Sequence, residues 1–220
     1  MSHRPAVTAM VETILSSDEK ITIVATGPLT NIAALLVAHP EVKTKIERIL
    51  WMGGAAVGGN VTPTAEFNAY VDPHAVQIVF NSGIQVVMSG LDVTHKAFIT
   101  VDEIKRLEDM GTEFTQKLHE MVTFYLDQIE KTPFHEENYD QVVHFHDVVP
   151  VMYLLQPHLF EGTDHFVEVE LEGKAAGATI VDYLNRTNNK PNVHVLHNVE
   201  REKFVEEFMK AVEKISDRLH

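Results

Sequence analysis

The sequence predicts an α/β fold: an open, mostly parallel sheet with helices on both faces. Three observations point there. Short apolar runs rich in β-branched residues alternate with stretches of helical periodicity, the pattern of βα units. The first clear run, Ile21-Thr22-Ile23-Val24-Ala25, has only one residue that is not apolar, as in a strand buried on both sides. Glycine, asparagine, aspartate and glutamate collect where such runs end, and ligands of open α/β sheets bind beyond the carboxyl ends of the strands.

Taken in order, Val7, Met10, Val11, Ile14 and Leu15 fall at helical spacing and predict a helix before the strand at Ile21–Ala25. Gly27-Pro28 breaks that strand. Pro28 suits the first position of a helix, where its missing N–H costs nothing, and Leu29 to Ala38 continues until His39-Pro40. Ile49–Met52 reads as a second strand ending in Gly53-Gly54, followed by a long Gly/Ala/Asn-rich loop to Asp72-Pro73 and a helix from His74 to Asn81. Ile84–Met88 is the third strand. Thr100-Val101-Asp102-Glu103 is a capping box, in which hydroxyl and carboxylate satisfy amides at a helix start. That helix ends at Met110-Gly111, and another spans Glu113 to about Lys131. Thr132 to His146 reads as a functional loop, and Asp147 to Leu155 as helix. Strands near Phe166–Val169, Thr179–Val181 and Val193–Leu196 precede a closing amphipathic helix, Glu200 to Ile215.

Composition narrows the function. The chain has 220 residues, 45% of them apolar, enough for one sizeable core, so one domain over 1–220 is expected. Its 18 Lys+Arg against 32 Asp+Glu give a net charge of −14, which argues against nucleic acid as a partner, because phosphate binding needs a cationic footprint. No apolar run is long enough to span a membrane, and Met1-Ser2-His3-Arg4-Pro5 lacks the apolar stretch of a signal peptide. The absence of cysteine excludes disulfides, a thiol nucleophile and thiolate metal sites. A cytoplasmic location is the expectation.

Two constellations carry candidate chemistry. Gly59-Asn60-Val61-Thr62-Pro63-Thr64-Ala65-Glu66-Phe67-Asn68 places two amides and a carboxylate around an aromatic. Such groups suit a ligand with several hydroxyls, although a turn-rich loop with Asn at special backbone angles has the same composition. His144-Phe145-His146-Asp147 offers an acid and a hard-metal ligand side by side. With thirteen histidines in the chain, a chance pair is the competing reading, with Asp147 capping the helix that follows. Asp92 in Asp92-Val93-Thr94 reads as a structural cap or hydrogen-bonding group.

Together the motifs form a recognisable series. Thr26-Gly27-Pro28-Leu29-Thr30-Asn31-Ile32-Ala33, Met52-Gly53-Gly54, Gly59-Asn60 with Ala65-Glu66-Phe67-Asn68 and Asp72-Pro73 come first. Gly90-Leu91-Asp92-Val93-Thr94, His146-Asp147, Gly177-Ala178-Thr179-Ile180-Val181-Asp182 and Pro191-Asn192 follow. The order resembles the inosine–uridine-type nucleoside hydrolases from near the start of the chain to its last helix. The resemblance implies a Rossmann-like sheet and hydrolysis of the N-glycosidic bond of ribonucleosides to ribose and free base, in nucleoside salvage. It implies a calcium ion held by the Thr26 backbone carbonyl and by Asp147, whose bound water attacks the anomeric carbon. Asn60, Glu66 and Asn68 would grip the ribose hydroxyls, Met52 and Phe67 would line the sugar pocket, and His146 would protonate the leaving base. Phe134, His135, Tyr139 and His144 are candidates for the base side. Small-molecule nucleosides are the implied partners, and a dimer or tetramer the implied assembly.

One element of the family pattern is missing. An aspartate-rich segment of the form Asp-x-Asp-x-Gly-x-Asp-Asp supplies most of the family's calcium ligands and the aspartate that activates water. Neither Glu136-Glu137 nor Asp18-Glu19 has its spacing or its glycine. The expectation is therefore the C-terminal portion of the family's domain, with Met1 an internal methionine read as a start. Calcium takes about 6–8 oxygen ligands, so weak metal affinity and impaired activity are expected of this chain alone. The alternative is an inactive remnant that binds ribosides or pairs subunits.

Overall fold

The computed structural model describes residues 4–130 and 142–219. In chain order its elements are α1 (Ala6–Ser16), β1 (Ile21–Ala25), α2 (Thr30–Ala38), β2 (Ile46–Met52), α3 (Phe67–Val71), α4 (Pro73–Phe80), β3 (Gln85–Ser89) and α5 (Leu91–Thr94). Then come β4 (Phe98–Thr100), α6 (Val101–Asp109), α7 (Glu113–Glu130), β5 (Val142–His144), α8 (Val148–Leu155) and β6 (Phe160–His165). The chain closes with β7 (Val167–Val169), β8 (Thr179–Val181), β9 (Val193–Val199) and α9 (Arg201–Leu219). The chain divides into two compact units, residues 1–93 with 147–198 and residues 94–146 with 199–220.

The first unit carries the α/β sheet that the sequence predicts, in the order β1-β2-β3-β9-β6. β1 pairs with β2, β2 with β3 and β3 with β9, each in parallel. Residues of one parity, Ile49, Trp51, Val86, Met88, Val193 and Val195, face the buried side chains of α1, α2 and α4. Leu50 and Val87, of the other parity, are equally buried, and α8 packs against β2. Trp51 is fully enclosed, and its ring meets Phe80 edge-on at 5.8 Å. Burial of side chains this size contributes about 2–3 kcal/mol each. The pairing of Ala25 with Trp51 and of Met52 with Ser89 brings the carboxyl ends of β1, β2 and β3 into one row, from which the loops at Thr26, Gly53 and Gly90 leave.

The second unit is built on the β4–β5 ribbon, antiparallel with Phe98 opposite His144, and on α6, α7 and α9. The capping box is present: Thr100 accepts from the Glu103 amide, and the Glu103 carboxylate accepts from the Thr100 amide at 2.9 Å. The same carboxylate pairs with Arg201, whose guanidinium lies 4.5 Å over the Phe98 ring. One cation thus ties α9 to β4 and α6.

Two local expectations are corrected. The stretch from Gly53 to Asp72 is not loop throughout, because Glu66 starts the short helix α3. The segment expected as a loop from Thr132 to His146 ends in β5, where Val142–His144 pair with Phe98–Thr100; residues 131–141 lie outside the described residues. β4 and β6 are also strands the sequence pattern does not announce. Among the described residues no helix is long and apolar enough to cross a membrane.

Candidate active site

In the first unit the loop after β2 is held by buried polar groups. Gly53 has no room for a side chain, since a Cβ there would fall on the Trp51 ring, and the Trp51 indole N–H donates to the Gly27 carbonyl at 3.1 Å. Gly54 sits at φ +75°, open to glycine at little cost. Ala55 donates its amide to Thr179 Oγ1 at 2.9 Å and accepts that hydroxyl on its carbonyl at 2.7 Å. The Asp92 carboxylate accepts the amides of Ala56 at 2.6 Å and Val57 at 3.1 Å, the structural role its sequence context suggests.

Glu66 is 2% exposed and caps α3. Its carboxylate accepts the amides of Gly54 at 2.9 Å, Asn68 at 2.9 Å and Ala69 at 3.3 Å. Burial lifts its pKa above the usual carboxylate range; the three amides pull it back, and the charge of Asp147 adds to the lift. Asn68, also buried, donates its Nδ2 to the Met52 carbonyl at 2.9 Å and lies 3.4 Å from the Met52 sulfur. Asn60 accepts the Phe67 amide on Oδ1 at 2.9 Å. Met52, Asn60, Glu66, Phe67 and Asn68 therefore form one connected network, although the Phe67 side chain itself is half exposed.

The network keeps polar capacity in reserve. A carboxylate offers about four acceptor positions and a side-chain amide two donors and an acceptor. Three amides leave Glu66 a further acceptor position. Among the described residues Asn68 Oδ1 and Asn60 Nδ2 have no partner. Two acceptors and a donor amide match the hydroxyls of a vicinal diol.

Asp147 stands at the N-cap of α8 but makes no cap hydrogen bond, so its carboxylate is not spent on the helix. Partial desolvation raises its pKa, although much of the residue meets solvent. Thr26 is exposed at the end of β1.

In the second unit three imidazoles cluster. His144 and His146 stack at 5.6 Å and 27°, and His95 stands 5.1 Å from His144 and 5.7 Å from His146. Burial first, then the neighbouring rings, depress His144 and His146 to about 4, so both are neutral near pH 7. His146 Nδ1 lies 2.8 Å from Thr94 Oγ1. The base-side candidates Phe134, His135 and Tyr139 lie outside the described residues.

The calcium implied by the resemblance is not matched by the donors described. Among the described residues no group of three or more His, Asp or Glu gathers that could hold a metal. The Thr26 carbonyl and the Asp147 carboxylate together offer at most three oxygens, against the roughly 6–8 that calcium takes.

Asp92, Thr179 and Trp51 complete the architecture of the loop, and sequence reasoning assigned no such role to the last two. Thr179 lies in a motif the sequence does single out, but its partner is 124 residues away.

This arrangement of a parallel sheet and a Glu/Asn loop defines a class. The family model for inosine-uridine preferring nucleoside hydrolases matches residues 1–206, and the chain belongs to that family. It is 46% identical over 204 residues to the pyrimidine-specific ribonucleoside hydrolase RihA of Escherichia coli (strain SMS-3-5 / SECEC), covering 91% of this chain and 64% of the relative. The RihA of Salmonella paratyphi B (strain ATCC BAA-1250 / SPB7) matches with the same identity and coverage. The chain thus spans just under two thirds of these relatives. Among solved structures, the purine-preferring ribonucleoside hydrolase from Gardnerella vaginalis superposes with a TM-score of 0.88 at 32% identity, over 98% of this chain and 67% of that one. The plant nucleoside hydrolase PpNRh1 does so with a TM-score of 0.85 at 28% identity, over 97% and 69%.

Proposed function

We propose that the chain hydrolyses the N-glycosidic bond of ribonucleosides, releasing ribose and free base. The observation that carries this reading is the buried Glu66 carboxylate with Asn68 and Asn60, whose uncommitted oxygens and amide fit the ribose hydroxyls. Cleavage of such a bond passes through an oxocarbenium-like sugar. Glu66, in a low-dielectric setting and fixed by three amides, stabilises that positive charge without having to reorganise. The departing base gains electron density, and His146 offers it a hydrogen. The RihA relatives, named pyrimidine-specific, favour a pyrimidine nucleoside such as uridine over inosine. Self-association into a dimer or tetramer belongs to the same reading, as does a cytoplasmic setting.

A second reading has its own observation. The described donors fall short of a calcium shell, which favours a chain that binds ribosides without turning them over. Purified chain incubated with uridine or inosine, with and without calcium, and followed for free ribose separates the two. Release above that of Glu66→Gln and His146→Ala supports hydrolysis. Calorimetric binding of ribose with no release supports the binding module, and neither binding nor release removes both.

A further inference from the structure

Thr94 is fully buried. Among the described residues its hydroxyl has one hydrogen-bond partner, His146 Nδ1 at 2.8 Å. A hydroxyl carries a single hydrogen, and a buried donor left without an acceptor forfeits its hydration with nothing in return. Were Nδ1 the donor, the Thr94 hydrogen would have nowhere to go. With Nδ1 as acceptor, the contact satisfies the hydroxyl and leaves the ring hydrogen on Nε2.

We propose that Thr94 is a positioning residue, holding His146 in the tautomer whose only hydrogen sits on Nε2, so that the ring meets a departing base as a hydrogen-bond donor. The role toward the base rests on the hydrolase reading; the tautomer rests on the geometry of the second unit alone. Thr94 is itself fixed. Its carbonyl accepts from the Ala97 amide at 3.2 Å. The stack on His144 and the edge contact with His95 hold the plane of the His146 ring. A ring fixed in plane and tautomer aims its donor before any ligand arrives, and which ring nitrogen carries the hydrogen is set by the bond the other makes.

The test reads the tautomer directly. Long-range proton–nitrogen spectra of the full chain labelled at histidine, recorded near neutral pH, distinguish the two forms, and His146→Gln identifies the His146 signals. Wild type and Thr94→Ser should both show the hydrogen on Nε2. Thr94→Val, which keeps the volume and loses the hydroxyl, should shift His146 toward a mixture. A wild-type hydrogen on Nδ1 overturns the inference even if Thr94→Val does not fold, and so does a Thr94→Val spectrum identical to wild type. In ribose release, Thr94→Val should lower kcat by about 10- to 100-fold with little change in KM, and Thr94→Ser should restore it. Wild-type kcat in Thr94→Val overturns the positioning role. A chain that shows the Nε2 hydrogen but releases no ribose supports the tautomer and sinks the hydrolase reading instead.

Discussion

Glu66 can be perturbed in two ways that the structure predicts will differ. Glu66→Ala strands the amides of Gly54, Asn68 and Ala69 at a position 2% exposed. Hydrogen bonds to a charged acceptor contribute about 1.5–3 kcal/mol each, and loss of a helix cap costs about 1 kcal/mol. Removing a carboxylate whose burial is unfavourable returns part of this, so the net cost should be about 3–4 kcal/mol. Glu66→Gln behaves differently. All three amides reach Oε2, so a glutamine oxygen placed there still serves each of them at neutral strength, while the desolvation of a charge disappears; only the second contact of the Asn68 amide, to Oε1 at 2.9 Å, is lost to the new Nε2. Its cost should be about 1–2 kcal/mol. Urea unfolding measures both, with the single tryptophan, Trp51, as a fully buried reporter and stability read from midpoints at constant m. Equal midpoints for the two variants, or a Glu66→Ala midpoint within about 0.5 kcal/mol of wild type, would refute the reasoning. Glu66→Gln should then be folded yet weakened toward ribose, separating the architectural from the electrostatic role of one carboxylate.

Two further outcomes are expected. Gly53→Ala drives a methyl into the enclosed Trp51 ring and should cost about 1–3 kcal/mol, with a shift of the Trp51 emission; an unshifted spectrum and midpoint would show that the ring can move aside. Acid should weaken the second unit. His144 and His146 titrate near 4 when folded against an ordinary 6.5, so the unfolded chain binds more protons between those values. Stability should be flat above about pH 6.5 and fall from there toward pH 4, by about 1–3 kcal/mol for the coupled rings. Thermal melts across that range, compared with His144→Gln/His146→Gln, would check it; an unchanged acid slope in the double variant counts against the neutral cluster.

Much of the fold was legible because parallel strands buried on both faces announce themselves. The apolar runs at Ile49–Met52 and Ile84–Met88 mark β2 and β3, and the capping box marks the start of α6. Less legible were β4, β5 and β6. The sequence of β6, Phe-Glu-Gly-Thr-Asp-His, carries no apolar alternation, and β5, Val-Val-His, is too short to stand out until its pairing with β4 is seen. At the site, Asn60, Glu66 and Asn68 were named from residue type and order, and they do share one network. That Glu66 serves also as a helix cap was hidden, since an acidic residue before Phe-Asn-Ala-Tyr reads as loop until the amides of Asn68 and Ala69 are seen to point at it. The hold of Thr94 on His146 spans 52 residues, and no local pattern encodes it.

Thr179 clasps both polar groups of Ala55 from far along the chain. During synthesis the stretch carrying Asn60 and Glu66 is therefore made long before the threonine that completes its shape. A contact of such sequence separation forms only after a large loop has closed. The turn that carries Asn60 and Glu66 thus stays unset in the half-made protein on the ribosome, and any affinity for a sugar that the proposed function gives it should emerge late.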